Sequence, residues 1–254
     1  LSRERIKTPK GSWQFQLSAC QQVFRSVRTR RNRASSTRKC LLQPISQRRR
    51  SSAMDTGGDA YAPTIGIEEE MFLIDAETLD CVPEMPERFE RDARQQLGSR
   101  FEREMISSMV ELVTSSHSSI STLREETEEI RHKIGRLAAR HGLAMMACGT
   151  HPFADWSMQT ITESERYRGV AETVQLPSKR AHACGLHIHV AVDDSVRIPV
   201  MNRMRQAMPL FLALSTSSPF WQGRPSGLKS YRTAVNNEFP RSGIPPPFRN
   251  DLDY

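Results

Sequence analysis

The chain has 254 residues, a hydrophobic fraction of 37% and a formal net charge of +7, which is length enough for one large domain or two small ones. The charge is unevenly spread: residues 1–53 hold fourteen Lys or Arg against the single acid Glu4, about +13, so residues 54–254 sum to about −6. That split excludes a whole-chain argument for nucleic-acid binding, and no run approaches the roughly eighteen apolar residues of a membrane-spanning helix.

Residues 1–60 read as a disordered basic leader outside the fold, rich in Ser and Arg (Arg28, Arg30, Arg31, Arg33, then Arg48-Arg49-Arg50). Such a segment cannot bury enough apolar area to offset its ordering entropy. Three origins fit it: sequence translated upstream of a start at Met54, an organelle transit peptide, or a basic arm that touches nucleic acid. Residues 61–254 then form the folded domain. The five cysteines (Cys20, Cys40, Cys81, Cys148, Cys184) are odd in number and form no CxxC pair, which points to free thiols in a reducing, cytoplasmic compartment.

In chain order, residues 63–75 alternate as a strand, with Gly66, Glu68, Glu70 and Phe72 on one face and Ile67, Glu69, Met71 and Leu73 on the other. Residues 79–100 read as a loop and a short polar helix, and 104–114 as a second strand in which Glu111 shares a face with Met109 and Val113. A helix follows over Thr122–His141, with Thr122 and Glu125 as a capping box and Gly142 as its stop. Leu143–Cys148 is a short strand feeding the turn Gly149–Phe153, and 163–176 a helix. Residues 185–192 alternate again, placing His187 and His189 together. Residues 199–214 form an apolar helix with Val200, Met204, Met208, Phe211 and Leu212 on its face and Pro209 inside it; the tail from Ser215 is loop. Half-buried strands with packing helices predict an α+β fold with an antiparallel sheet.

Several of these positions can carry chemistry. Glu68 and Glu70 leave one strand face, a geometry suited to a hard cation such as Mg²⁺; an exposed acidic face would give the same pattern. His187 and His189 can together meet a metal or a phosphate, and with His151 and Glu111 they could also build a zinc hydrolase. His151, in a turn after a buried strand, is placed for a cleft. The segment 215–232, ending in Ser230-Tyr231-Arg232, can hold an anion through backbone N–H groups and Arg232.

Taken together, Ile65–Leu73, Met109–Thr114, Gly149–Trp156, Glu165–Tyr167, Gly185–Val190, Ala213–Gly223, Ser230-Tyr231-Arg232 and Phe239-Pro240 resemble the carboxylate–amine ligases, or type 2 glutamate–cysteine ligases, from about residue 63 to the end. The resemblance implies a glutamine synthetase-like domain: a curved antiparallel sheet with helices on its outer face and ATP with Mg²⁺ or Mn²⁺ on its concave face. It implies phosphorylation of a carboxylate by ATP and attack by an amine on the acyl phosphate, with small amino acid and amine substrates; a homo-oligomer is compatible with it. Carried over residue by residue, Glu68, Glu70, Glu111 and His189 become metal and catalytic residues and Arg232 a substrate- or phosphate-facing one; His151 and His187 are further candidates for binding substrate or phosphate. Family members continue past the point where this chain stops, into a strand with another acid and an Arg of the active site. The expectation is therefore a fragment lacking its C-terminal part. A catalytically incomplete nucleotide-binding relative is the alternative within the family, and the metal-dependent hydrolase the alternative outside it.

Overall fold

A computed structural model describes residues 63–240, 242–250 and 252–253. The leader expected over residues 1–60 lies outside the described residues.

The first strand, β1 (Ile65–Asp75), is the axis of the sheet. A loop leads to helix α1 (Glu87–Leu97), whose Phe89, Ala93 and Leu97 recur every four residues and are buried. One 3-10 turn at Gly98–Arg100 then opens onto two short strands, β2 (Phe101–Arg103) and β3 (Met109–Val113). Helix α2 (Ile120–Arg140) and strand β4 (Leu143–Met146) follow. Helices α3 (Glu165–Val174) and α4 (Leu176–Lys179) precede strand β5 (Leu186–Val190). Helix α5 (Arg197–Leu214), the small hairpin β6 (Phe220–Trp221) and β7 (Arg224–Pro225), and helix α6 (Arg232–Asn236) complete the described elements.

The sheet is antiparallel throughout. β3 lies along one edge of β1 with β2 outside it, while β5 and β4 share the other edge end to end. β5 pairs with Ile65–Glu69 and β4 with Phe72–Asp75. Each face of β1 is used differently. On one face Met71 and Leu73 join Val110 and Leu112 of β3 and the apolar sides of α1 and α2, including Phe89, Ile130, Ile134 and Leu137. On the other, Phe72 and Ile74 are covered by a second core with Cys81, Ile106, Met109, Ala154 and Cys184. That second core stops at Phe72, so Glu70, Glu68 and Gly66 continue the same face without an apolar lid.

Glu69 belongs to the helix face. It is 5% exposed and is met by Arg131 of α2 through two contacts, Nε to Oε2 at 2.6 Å and Nη2 to Oε1. Removing one partner of so enclosed a pair costs about 3 kcal/mol. Glu69→Gln is therefore expected to lower the thermal midpoint by about 6–12 °C, measured by calorimetry, with the opposite face of β1 left in place.

Five local expectations are corrected. The strand expected over 104–114 is only Met109–Val113, because residues 104–108 turn and the Met109 N–H bonds the Ile106 carbonyl at 2.9 Å. The same turn frees Phe101–Arg103 to pair as β2, a strand absent from the sequence reading. α2 starts earlier than Thr122: Ser119 is its cap, accepting the Thr122 N–H at 3.2 Å, so the expected Thr122/Glu125 box is not used. The helix expected over 163–176 ends at Gln175, whose φ of 61° breaks it into α3 and α4. Finally, α5 buries only Ile198 and Met201; Met204 and Met208 are half-buried and Leu212 is 44% exposed. No helix among the described residues is long and apolar enough to cross a membrane.

Candidate active site

The sheet register assembles the site. Glu68 is paired with His187, Gly66 with His189 and Glu70 with Glu111. Directly opposed residues share a face of a sheet, so two carboxylates from β1, one from β3 and two imidazoles from β5 converge on the face that the second core leaves open. Glu111, which alone says little in sequence, is committed to the cluster by this pairing.

His187 stands at the centre. Its Nδ1 lies 3.1 Å from Glu68 Oε2 and 3.9 Å from Glu111 Oε1, and its Nε2 lies 3.6 Å from Glu70 Oε1. His189 Nε2 is 3.0 Å from Glu68 Oε2, an ion-pair distance, and both of its ring nitrogens are buried without an aligned hydrogen bond among the described residues. Glu70 Oε2 accepts the Gly185 N–H at 2.6 Å, and the Glu70 N–H bonds the Gly185 carbonyl at 3.0 Å. Arg232, the first residue of α6, donates from Nε to the Cys184 carbonyl at 2.5 Å. A Cβ on Gly185 would sit 2.8 Å from Arg232 Nη2, 3.1 Å from His187 Nε2 and 3.4 Å from Glu70 Oε2. Any side chain at this position would force at least the Arg232 guanidinium to shift. Beside Glu68 and His189 a pocket of about 110 Å³ opens over Gly66, bordered by Thr114 and Ser116.

A further carboxylate was missed in sequence. Glu104 is largely withdrawn from solvent, and its carboxyl is raised by burial first and by the charge of Glu70 second. On an unbroken strand over 104–114, Glu104 and Glu111 would point to opposite faces. The turn at 104–108 cancels that parity: the Glu104 N–H bonds the Met109 carbonyl at 3.5 Å, next to the Arg103–Val110 pair, so Glu104 stands opposite Met109 and on the face of Glu111. The only sequence signal was the small pair Ser107-Ser108, which favours a turn over a strand.

The electrostatics follow from crowding. His187 and His189 hold the Glu68 carboxyl down at about 2, against the opposing effect of burial. Burial pushes Glu111 up to about 8, helped by the charges of Glu104, Glu68 and Glu70. Burial pulls His187 down, but its hydrogen bond to Glu68 and the charges of Glu70, Glu68 and Glu111 outweigh this and raise it. A carboxylate raised this way holds a proton in the fold that the unfolded chain releases near 4.5, so fold stability falls as pH rises from 4.5 to about 8. In metal-free buffer the melting temperature is expected to drop by several degrees across that window. Glu111→Gln should flatten the drop; an unchanged slope in the variant would contradict the assignment.

These donors suit a hard divalent cation. Glu68, His187 and His189 offer ligand atoms within 4.8 Å of one another, and so do Glu70, Glu111 and His187. Four acidic side chains sharing one face, one of them forced to keep a proton, form a site whose charge a cation would balance.

His151 is not brought to this cluster. It is 1% exposed; its Nε2 donates to the Leu79 carbonyl at 3.0 Å and its Nδ1 accepts the Ala154 N–H at 2.9 Å. Both nitrogens are spent in the second core, edge-on to Phe72, and burial lowers its basicity. The cleft placement expected for His151 is thereby corrected, and a zinc site using it loses a ligand. His182, buried against Phe72, is likewise structural, its pKa lowered to about 3 by burial.

Residues 64–254 match the model of glutamate–cysteine ligase family 2. The chain belongs to that family. Similar relatives carry the provisional name glutamate–cysteine ligase 2. One from Bradyrhizobium diazoefficiens is 39% identical over 198 residues, covering 78% of this chain and 46% of the relative. One from Sorangium cellulosum is 44% identical over 184 residues, covering 72% and 49%. The chain thus spans about half the length of the glutamate–cysteine ligase family 2 relatives it matches. Among solved structures, a bifunctional glutathione synthetase from Pasteurella multocida aligns with a TM-score of 0.51 at 13% identity, over 63% of this chain and 24% of that one, a likeness of fold.

Proposed function

We propose that this chain carries the cation- and phosphate-facing half of an ATP-dependent carboxylate–amine ligase of the glutamate–cysteine type. The observation that supports it is the convergence of Glu68, Glu70, Glu104 and Glu111 with His187 and His189 on one open sheet face, inside a chain of glutamate–cysteine ligase family 2. Mg²⁺ or Mn²⁺ would be held by Glu70, Glu111 and His187 and by Glu68, His187 and His189, where it would offset the charge of the ATP phosphates.

In this reading the acid substrate's carboxylate oxygen attacks the γ-phosphorus of ATP, the bridging P–O bond to ADP breaks, and an acyl phosphate forms. The amine nitrogen then attacks the acyl carbon, the C–O bond to phosphate breaks, and nitrogen loses its proton to a base. Arg232, fixed through Nε to Cys184, points its guanidinium past Gly185 toward the cluster, where it can clamp a phosphoryl or carboxylate group in place. Glu68, ionised far below neutral pH, supplies fixed negative charge for the cation. Gly185 and the β1–β5 register orient Glu70 and the imidazoles. The hydrolase reading is disfavoured by the place of His151.

The test is product analysis with a chain of the relatives' full length. Incubation with Mg-ATP, glutamate and a panel of amines should yield ADP, phosphate and an amide in equal amounts. ATP binding with no amide from any amine would support the nucleotide-binding relative instead.

A further inference from the structure

The fourth carboxylate is held by a device that the ligase reading does not use. Glu104 lies just beyond the short strand β2, where a single long bond from its N–H to the Met109 carbonyl, at 3.5 Å, still ties it to β3 before the chain turns. Three consecutive carbonyls there are each gripped from one segment. The Tyr167 hydroxyl donates to the Arg103 carbonyl at 3.1 Å, the Thr162 hydroxyl donates to the Glu104 carbonyl at 2.5 Å, and the Thr162 N–H donates to the Met105 carbonyl at 2.8 Å. The contact extends through an Ile106–Ile161 bridge and a Ser107 N–H bond to the Thr160 carbonyl at 2.9 Å. Thr162 is 5% exposed, so its hydroxyl is spent inside the protein. The Glu104 carboxylate then folds onto the Met105 N–H at 2.8 Å, which sets its direction.

We propose that Thr162 and Tyr167 are positioning residues that aim the Glu104 carboxylate at the Glu70–Glu111 side of the site, so that the strength of divalent-cation binding depends on a clamp outside the sheet. The inference rests on reading the cluster as a cation site. The physical logic is that of outer-shell groups around metal ligands, whose loss typically weakens metal affinity by 10–100-fold without touching the ligands. A two-hydroxyl clamp on one turn has the same task, because the carboxylate can be no better placed than the backbone that carries it.

The experiment is a Mn²⁺ titration of the 254-residue chain, followed by the loss of the free-ion electron paramagnetic resonance signal, on wild type, Thr162→Val, Thr162→Ser, Tyr167→Phe, Glu104→Gln and Ser164→Ala. Thr162→Val keeps the shape and loses the hydroxyl; Thr162→Ser keeps the hydroxyl. Ser164 caps α3 through the Tyr167 N–H and touches neither Glu104 nor the clamp carbonyls, so its loss loosens the same helix without cutting the clamp. The expected result is about 10-fold weaker Mn²⁺ binding in Thr162→Val and Tyr167→Phe, with near wild-type binding in Thr162→Ser and Ser164→Ala. In a Glu104→Gln background, Thr162→Val should add nothing. Wild-type affinity in both Thr162→Val and Tyr167→Phe overturns the clamp while leaving the cation site standing. Equal loss in Ser164→Ala also overturns it, since helix stability would then be the cause. No Mn²⁺ binding by the wild type overturns the cation site itself, and the clamp with it.

Discussion

Glu70→Gln, made in a chain of the relatives' full length, lowers ATP-dependent ligation by about 10²–10³-fold and leaves the fold intact. The amide oxygen of Gln can still accept the Gly185 N–H now bound at 2.6 Å, so the β1–β5 contact survives. What disappears is one negative charge beside His187 and Glu111. In the metal-free protein that charge is a liability, because it helps to push Glu111 up to about 8. The variant should therefore melt at or above the wild-type temperature while losing activity, the usual trade between a strained site and its stability. Glu68→Gln should lose activity in the same way but melt somewhat below the wild type, because the imidazoles that hold its carboxyl at about 2 lose a favourable partner. Near-normal ligation in either variant would sink the cation assignment. A parallel collapse of the melting temperature would show that the acid was structural.

Gly185→Ala is expected to cut kcat/KM by about 10²-fold with a change of only a few degrees in melting temperature. The reason is steric and local. Gly185 has no left-handed backbone conformation that forbids alanine, but the new methyl would lie 2.8 Å from Arg232 Nη2 and 3.1 Å from His187 Nε2. The guanidinium is the softer neighbour and must swing away, although its Nε is tied to the Cys184 carbonyl. Displacement of a clamp by about 1 Å is enough for a loss of that size. Arg232→Lys would separate the two effects: it relieves the crowding yet loses the planar fork, so it should not rescue Gly185→Ala. Full activity in Gly185→Ala would mean that Arg232 does not work from this position.

Much of this site was legible before any coordinates. Strict alternation in 63–75 and 185–192 placed Glu68 with Glu70 and His187 with His189, because a period of two is the only one a half-buried strand permits. The register that joins them was not legible, since nothing local in Glu68 names His187 as its partner. Glu111 needed that register to acquire a role. Glu104 was hidden by a single error of continuity, a strand drawn through a turn, which reversed its parity. His151 was misplaced for the opposite reason: a turn after a buried strand looks like a cleft, but here the second core folds over it and takes both nitrogens. The face of α5 was overread because its apolar period speaks of burial without naming what covers it.

The most direct test of the central claim is a calorimetric titration of Mn²⁺ into the chain at neutral pH, run in two buffers that differ in ionisation enthalpy. With Glu111 held protonated up to about 8 and His187 raised beside it, cation binding must expel protons. The account predicts saturable binding whose apparent enthalpy differs between the buffers by the heat of at least one released proton, with the difference reduced in Glu111→Gln, where His187 alone is left to release one. Binding with the same enthalpy in both buffers, or no binding at all, would contradict it.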